Sequence, residues 1–159
     1  YTVGQLLRDE ELAAQFYGGY CFVFRLTVDD YHRYCYFDSG QKGDNIALPG
    51  RLHTVRPIAL ERNQVFCENS REYTVIESDH FGRAVQMEVG ALMVGRIRNY
   101  HQAKRVRRGE EKGRFEFGGS TVILLLQEER VHPAQALLDA TADGWETEVR
   151  CGEQIGVGS

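Results

Sequence analysis

Apolar positions recur along this chain with two different spacings, and they divide it into a helical opening, a long series of strands and a second short helix. Thr2 followed by Gln5 fits a helix-capping box, and Leu6, Leu7, Leu12, Ala13 and Phe16 share one face of a helix that ends at Gly18-Gly19. Tyr20–Val28 is aromatic and β-branched, as is Tyr31–Phe37 beyond the break at Asp29-Asp30, so both are predicted strands. Asp38–Asn45 reads as a polar, glycine-bearing loop. Leu52–Ile58, Val65–Cys67 and Tyr73–Glu77 are further strand candidates, and Ala84–Ile97, punctuated by Gly90 and Gly95, fits strands better than a helix. Phe115–Phe117 and Val122–Leu126 are strand formers on either side of the corner Gly118-Gly119-Ser120-Thr121. A short helix starts at Pro133, carries Ala134, Ala136, Leu137, Leu138 and Ala140, and stops at Gly144. Many short strands with two short helices predict a mainly β domain of sandwich or barrel-sandwich-hybrid type, α+β only by a looser count.

One internal echo bears on the architecture. Val106–Gly113 and Val149–Gly156 share the form V-R-x-G-E-x-x-G. It reads either as two related hammerhead-like corners or as chance plus common turn chemistry. Lipoyl and biotinyl carrier domains have a similar repeat, but no lysine sits at a matching hairpin tip, so a swinging-arm carrier is not the expected function.

Composition narrows the classes. A chain of 159 residues suits one domain, taken here as residues 1–159. Its net charge of −4 gives no general attraction to nucleic acid. Cys21, Cys35, Cys67 and Cys151 are scattered without a C-x-x-C pair, which argues against a metal site and a disulfide framework and favours a reducing compartment. No run approaches the roughly 20 apolar residues of a membrane span. The opening at Tyr1, without a methionine or signal peptide, suggests an N-terminally truncated fragment.

Three segments could carry chemistry. Ser120 lies outside any G-x-S-x-G pattern and between strands, so neither a hydrolase elbow nor a phosphate-cradling loop fits; the choice is a tight turn or a reactive hydroxyl beside the Gly119 carbonyl. His32 stands among aromatics on a predicted strand, sharing a face with Tyr34 while Arg33 and Cys35 take the other; it is either a general acid or base or a histidine bonded to a neighbour. Arg96, Arg98, Lys104, Arg105, Arg107, Arg108, Lys112 and Arg114 make a local basic cluster, either a contact for anionic lipid headgroups or a solvated face.

Taken together, Asp30-Tyr31-His32-Arg33, Leu48–Val55, Val89-Gly90-Ala91 with Val94-Gly95, and Gly113–Thr121 resemble the phosphatidylserine decarboxylase family, in its order and over nearly the whole chain, from Tyr1 to Gly156. The resemblance implies a zymogen that cleaves itself between Gly119 and Ser120, leaving a larger chain 1–119 and a smaller chain 120–159 that stay associated. It implies a pyruvoyl cofactor made from Ser120, and a carbon–carbon lyase that turns phosphatidylserine into phosphatidylethanolamine through a Schiff base. His32, matching the first histidine of the family's Y-H-R-x-H motif, is the candidate to return a proton to the carbanion. Implied partners are phosphatidylserine and a membrane surface, on whose cytoplasmic side the protein would sit peripherally as a homo-oligomer, this fragment itself being soluble.

The chain departs from the family at Cys35, where the motif has its second histidine. An ordinary thiol, with a pKa of about 8.5, is mostly protonated at neutrality and is a poor base. Cys35 itself or His53, brought near by pairing of Leu52–Ile58 with Tyr31–Phe37, are the candidate self-cleavage bases. The family's aspartate partner and membrane-seeking helices would lie upstream of Tyr1, so the Gly119–Ser120 bond is expected to persist in this fragment. Arg71 and Arg56 are weak candidates for the substrate phosphate. The competing readings are a pyruvoyl decarboxylase of a soluble amino acid, a noncatalytic β-sandwich binding module, and a serine hydrolase using Ser120 and His32.

Overall fold

The computed structural model describes residues 1–27, 29–53, 64–91, 96–116 and 120–159. The capping box forms as its residues dictate: the Gln5 N–H donates to Thr2 Oγ1 at 3.1 Å and the Thr2 N–H to Gln5 Oε1 at 2.9 Å, opening α1 (Val3–Leu7). The single opening helix expected from the apolar spacing is broken, however. Arg8 turns left-handed at φ 52°, and Asp9 caps a new helix, α2 (Glu10–Ala14), by accepting from the Leu12 N–H at 2.9 Å. Val65–Glu68 is one turn of helix, α3, where Val65–Cys67 was expected to be a strand; the Asn69 N–H closes it onto the Val65 carbonyl. The last helix, α4, runs Gln135–Ala142, because Pro133 is taken into a strand pair instead of opening it. The described residues therefore hold four short helices, not two.

The strands are β1 (Tyr20–Leu26), β2 (Arg33–Cys35), β3 (Gly40–Lys42), β4 (Ile46–Leu48), β5 (Arg71–Ser78), β6 (Gly82–Val89), β7 (Arg96–Asn99), β8 (Lys104–Val106), β9 (Glu111–Glu116), β10 (Ser120–Leu126), β11 (Val131–Pro133) and β12 (Gly156–Gly158). A seven-stranded sheet runs β1-β10-β6-β5-β3-β8, with β4 added to one end of β5. A three-stranded sheet runs β2-β9-β7, and β11 pairs with β12. Every strand pair is antiparallel. The protein is mainly β, as its pattern predicts, and the described strands do not close into a barrel. The predicted loop Asp38–Asn45 contains β3, whose Lys42 is drawn inside. Of the predicted strand Leu52–Ile58, residues 54–58 lie outside the described ones; Leu52 and His53 are not in a strand, and β2 pairs with β9 instead.

The two faces of the large sheet are covered differently. On one, Tyr73, Val75, Val85, Met87, Val89, Ile123 and Leu125 pack against Leu6, Leu7, Leu12, Phe16, Val65 and Phe66 from the three N-terminal helices. Burying each such side chain fully contributes about 1.5–3 kcal/mol. The other face meets the three-stranded sheet through polar groups. The Gln86 side chain donates to the Cys35 carbonyl at 2.9 Å, and Glu88 receives Lys112 at 2.6 Å. A bulge makes the second contact: Tyr34 and Cys35 face Gly113 and Glu111, so Lys112 is left out of the ladder and turned inward. Gly113 is required beside it, since a Cβ there would stand 2.2 Å from the Arg98 carbonyl oxygen.

The repeated V-R-x-G-E-x-x-G pattern forms one turn twice. The Glu110 N–H donates to the Arg107 carbonyl while its carboxylate accepts from the Arg107 N–H, and Glu153 does both to Arg150. Gly109 and Gly152 take the left-handed position, at φ 78° and 86°. Only the first copy links two sheets, from β8 to β9. The echo is thus shared turn chemistry and not a pair of hammerhead corners.

Candidate functional site

Ser120 is the first residue of β10, fully buried, and opposite Leu26 of β1. Strand alternation puts its side chain on the polar face of the large sheet, with Val122 and Leu124. Its hydroxyl lies 3.1 Å from His32 Nδ1. The other ring nitrogen, Nε2, is 2.9 Å from the Thr27 carbonyl oxygen. A carbonyl can only accept, so Nε2 carries the proton. In the neutral ring Nδ1 is then a lone pair facing the Ser120 hydroxyl. This is the geometry of a hydroxyl held against a base.

Three local features hold the imidazole. Thr27 and Asp30 close a turn: the Thr27 N–H donates to Asp30 Oδ2 at 2.6 Å and the Asp30 N–H to the Thr27 carbonyl at 3.2 Å. That bond from Thr27 holds the Asp30 carboxyl below its ordinary range, with smaller help from His32 and Arg25. The His32 carbonyl accepts from the Phe115 N–H at 2.9 Å, which extends the β2–β9 pairing to the site. The Phe115 ring stands edge-on to His32 and is itself packed on Tyr34 at 4.9 Å.

The remaining sequence-derived residues fall elsewhere or outside the described ones. Gly119 and Arg56 are not among the described residues. His53 is tied to α3 and to Asn69 at its end: His53 Nε2 lies 3.1 Å from Glu68 Oε2, and the His53 backbone exchanges hydrogen bonds with the Asn69 side chain. Cys35 points to solvent from β2, its thiol pushed up by desolvation. Neither is a hydrogen-bond partner of Ser120 among the described residues. Arg71 is buried, and its guanidinium donates to four main-chain carbonyls, Gln5, Leu6, Cys67 and Asn69. It bolts α1 and α3 to β5, with its guanidinium engaged by main-chain carbonyls. Within the basic cluster, Lys112 is buried, whereas Arg96, Arg98 and Arg114 surround Glu116 on the three-stranded sheet.

Thr27 was not singled out from sequence, and Lys112 only as one cation of the basic cluster, not as a buried partner of Glu88. The Asp29-Asp30 pair after β1 is the signal of the turn that presents the Thr27 carbonyl. Nothing in the alternation marks Lys112, because the bulge reverses its direction.

The described fold and site define an antiparallel β protein built around a serine–histidine pair at the start of an inner strand. The family profile described as phosphatidylserine decarboxylase matches residues 1–157. Phosphatidylserine decarboxylase proenzyme 2 of Clostridium acetobutylicum is 49% identical over 156 residues, covering 98% of this chain and 53% of that protein. The phosphatidylserine decarboxylase proenzymes of Clostridium perfringens and Desulfitobacterium hafniense are 41% and 40% identical, covering 98% and 99% of this chain. The chain belongs to the phosphatidylserine decarboxylase family, and it spans about half the length of the curated relatives it matches.

Proposed function

We propose that this chain is the self-cleaving, catalytic part of a pyruvoyl-dependent phosphatidylserine decarboxylase, a lyase that yields phosphatidylethanolamine and carbon dioxide. The observation that carries the reading is the 3.1 Å contact between the Ser120 hydroxyl and a ring nitrogen of His32 whose tautomer the Thr27 carbonyl fixes. His32 takes the hydroxyl proton while Ser120 Oγ adds to the Gly119 carbonyl. Return of the proton to the Ser120 nitrogen breaks the peptide bond and leaves an ester. Loss of the Ser120 α-proton then expels the Gly119 carboxylate. The enamine left at position 120 takes up water and releases ammonia.

The site suits that product. Ser120 is enclosed, its hydroxyl has an imidazole partner, and β10 is held between β1 and β6 by ladders on both sides. Both of those strands belong to residues 1–119, so the cleaved chains would stay together. The pyruvoyl group supplies an electron sink for loss of carbon dioxide. His32 Nδ1, beside position 120, is placed to take up a proton and return it there. This extends the sequence expectation: one histidine, rather than Cys35 or His53, serves cleavage as well as turnover.

The protein would work peripherally at the cytoplasmic side of a membrane. No helix among the described residues is long and apolar enough to cross one. Among the described residues β1 is an edge strand, and an edge of that kind would suit self-association as a homo-oligomer. The test uses protein of the relatives' full length. Unaltered protein should give two pieces dividing at 119/120, and borohydride should trap phosphatidylserine on the smaller. Ser120→Ala should stay whole; a Ser120→Ala protein cut at the same bond would sink the proposal.

A further inference from the structure

We infer that Glu146, acting through Arg25, is a positioning residue for His32: the C-terminal piece of the chain clamps the strand end from which the ring is held. This rests on the reading above, in which His32 moves the protons of cleavage and turnover. The His32 ring is fixed by the carbonyl of Thr27, the residue that follows β1. Among the described residues β1 is an edge strand, paired only with β10. A strand end paired on one side opens more readily than an inner one. The last rungs of this ladder set Leu26 opposite Ser120 and Arg25 opposite Thr121. Opening at that end therefore shifts the Thr27 carbonyl, and with it the ring, relative to Ser120.

Arg25 is where that end is fastened. Its Nε and Nη2 donate to Glu146 Oε1 and Oε2 at 2.8 and 2.5 Å, a two-point grip across 121 positions of sequence. Among the described residues it is the only ion pair that joins residues 1–119 to residues 120–159. Local chemistry aims Glu146 at its partner. At the end of α4, Gly144 turns left-handed at φ 80°. The Gly144 N–H donates to the Thr141 carbonyl at 3.1 Å and the Trp145 N–H to the Ala140 carbonyl at 2.8 Å. This paired closure sets the course of the chain into Glu146. A single-point surface pair would contribute little, but here the geometry is bidentate and the Arg25 side chain is only 24% exposed. The grip also serves the turn beyond β1. Asp30, whose carboxylate closes that turn on the Thr27 N–H, is held below its ordinary range chiefly by that bond and in small part by the charge of Arg25. Glu146 itself bonds to neither Ser120 nor His32, so its effect on the chemistry passes through Arg25 and Thr27.

The ring can be read without any activity, in Ser120→Ala protein of the relatives' full length. Nitrogen-15 spectra of its histidines at mildly alkaline pH, with His32 assigned by its loss in His32→Gln, should show one tautomer there, protonated on Nε2. Adding Glu146→Ala should mix the two tautomers. Arg25→Lys keeps the cation but not the two-point grip, and should mix them in part. Glu148→Ala, which removes an exposed carboxylate two residues on, should leave the ring as it was. In protein with Ser120 intact, Glu146→Ala should lower turnover of a short-chain, monomeric phosphatidylserine about tenfold per cleaved molecule, with KM unchanged. A His32 ring that keeps its single tautomer in Glu146→Ala overturns the inference, even where the melting temperature falls, since the pair would then be a structural tie alone. So does equal mixing by Glu148→Ala. Mixing specific to Glu146 and Arg25, in a protein that neither divides nor decarboxylates when unaltered, would sink the enzymatic reading and leave the clamp standing.

Discussion

The two faces of the large sheet solve the same problem with opposite chemistry. Under the helices, alternate residues of β5, β6 and β10 are apolar and interlock with Leu6, Leu12 and Phe16. On the other face, the part nearest the small sheet carries Glu72, Thr74, Gln86, Glu88 and Ser120, all but Glu72 fully buried, while Ile76, Ala84, Leu124 and Leu126 of the same strands continue that face as two smaller apolar clusters. At the small sheet the contact is made by a Lys112–Glu88 ion pair with no exposed surface on either side chain and by Asn99 between Glu72 and Glu88, with Lys42 buried nearby on the Gly43 carbonyl and Asn45 of its own segment. The apolar face tolerates small slips. The polar face allows one relative position of the sheets, and it is the face on which β9 holds His32 against Ser120. A buried ion pair gives little net stability, yet breaking it is costly and its geometry is exacting.

Removing half of that pair should have the largest effect. Lys112→Met leaves Glu88 buried without its cation and should cost about 3–5 kcal/mol in chemical denaturation. The double change Lys112→Met with Glu88→Leu should recover most of that loss, because an apolar pair can replace a buried ionic one. Failure of the double variant to recover would mean that the two faces are not interchangeable in energy. On the helix-covered face, Met87→Ala should cost about 2–4 kcal/mol, measured the same way. Its self-cleavage below the unfolding transition should be unaffected.

Next in size is a pH effect confined to the polar face. Burial, with Lys112 nearby, pushes Lys42 down to about 8. Unfolded, the same lysine keeps its proton to about 10.4. Between these values the unfolded chain binds more protons, so stability contributed by this position rises with pH. The unfolding free energy of the unaltered protein relative to Lys42→Met should therefore improve by about 2 kcal/mol from pH 7.5 to pH 10. A flat difference would show that Lys42 is solvated in solution. The smallest effect is expected at His53: His53→Ala should cleave at the unaltered rate on a denaturing gel, since that ring faces Glu68.

The apolar face was legible in the sequence because alternation reports it directly; β1, β5, β6 and β10 lie where their patterns put them. The polar face was not. Gln86 and Glu88 alternate with Val85, Met87 and Val89, which reads as a strand with one wet side. Only the second sheet, brought over by long-range pairing, makes that side an interior. The helix boundaries failed where local chemistry overrode spacing, at the Asp9 cap and in the single turn closed at Asn69. At the site, Ser120 and His32 were visible as residue types. Their contact spans 88 positions, and although Asp29-Asp30 marks a turn, the group that orients the ring is a main-chain carbonyl, which carries no residue signature of its own.

The central claim is that His32 is the base that activates Ser120. Protein of the relatives' full length, unaltered and as His32→Gln, should be compared by circular dichroism and by intact mass over time. The account predicts that both are folded, that the unaltered protein divides at 119/120, and that His32→Gln slows division by about a hundredfold or more. A folded His32→Gln protein that divides at the unaltered rate would contradict it.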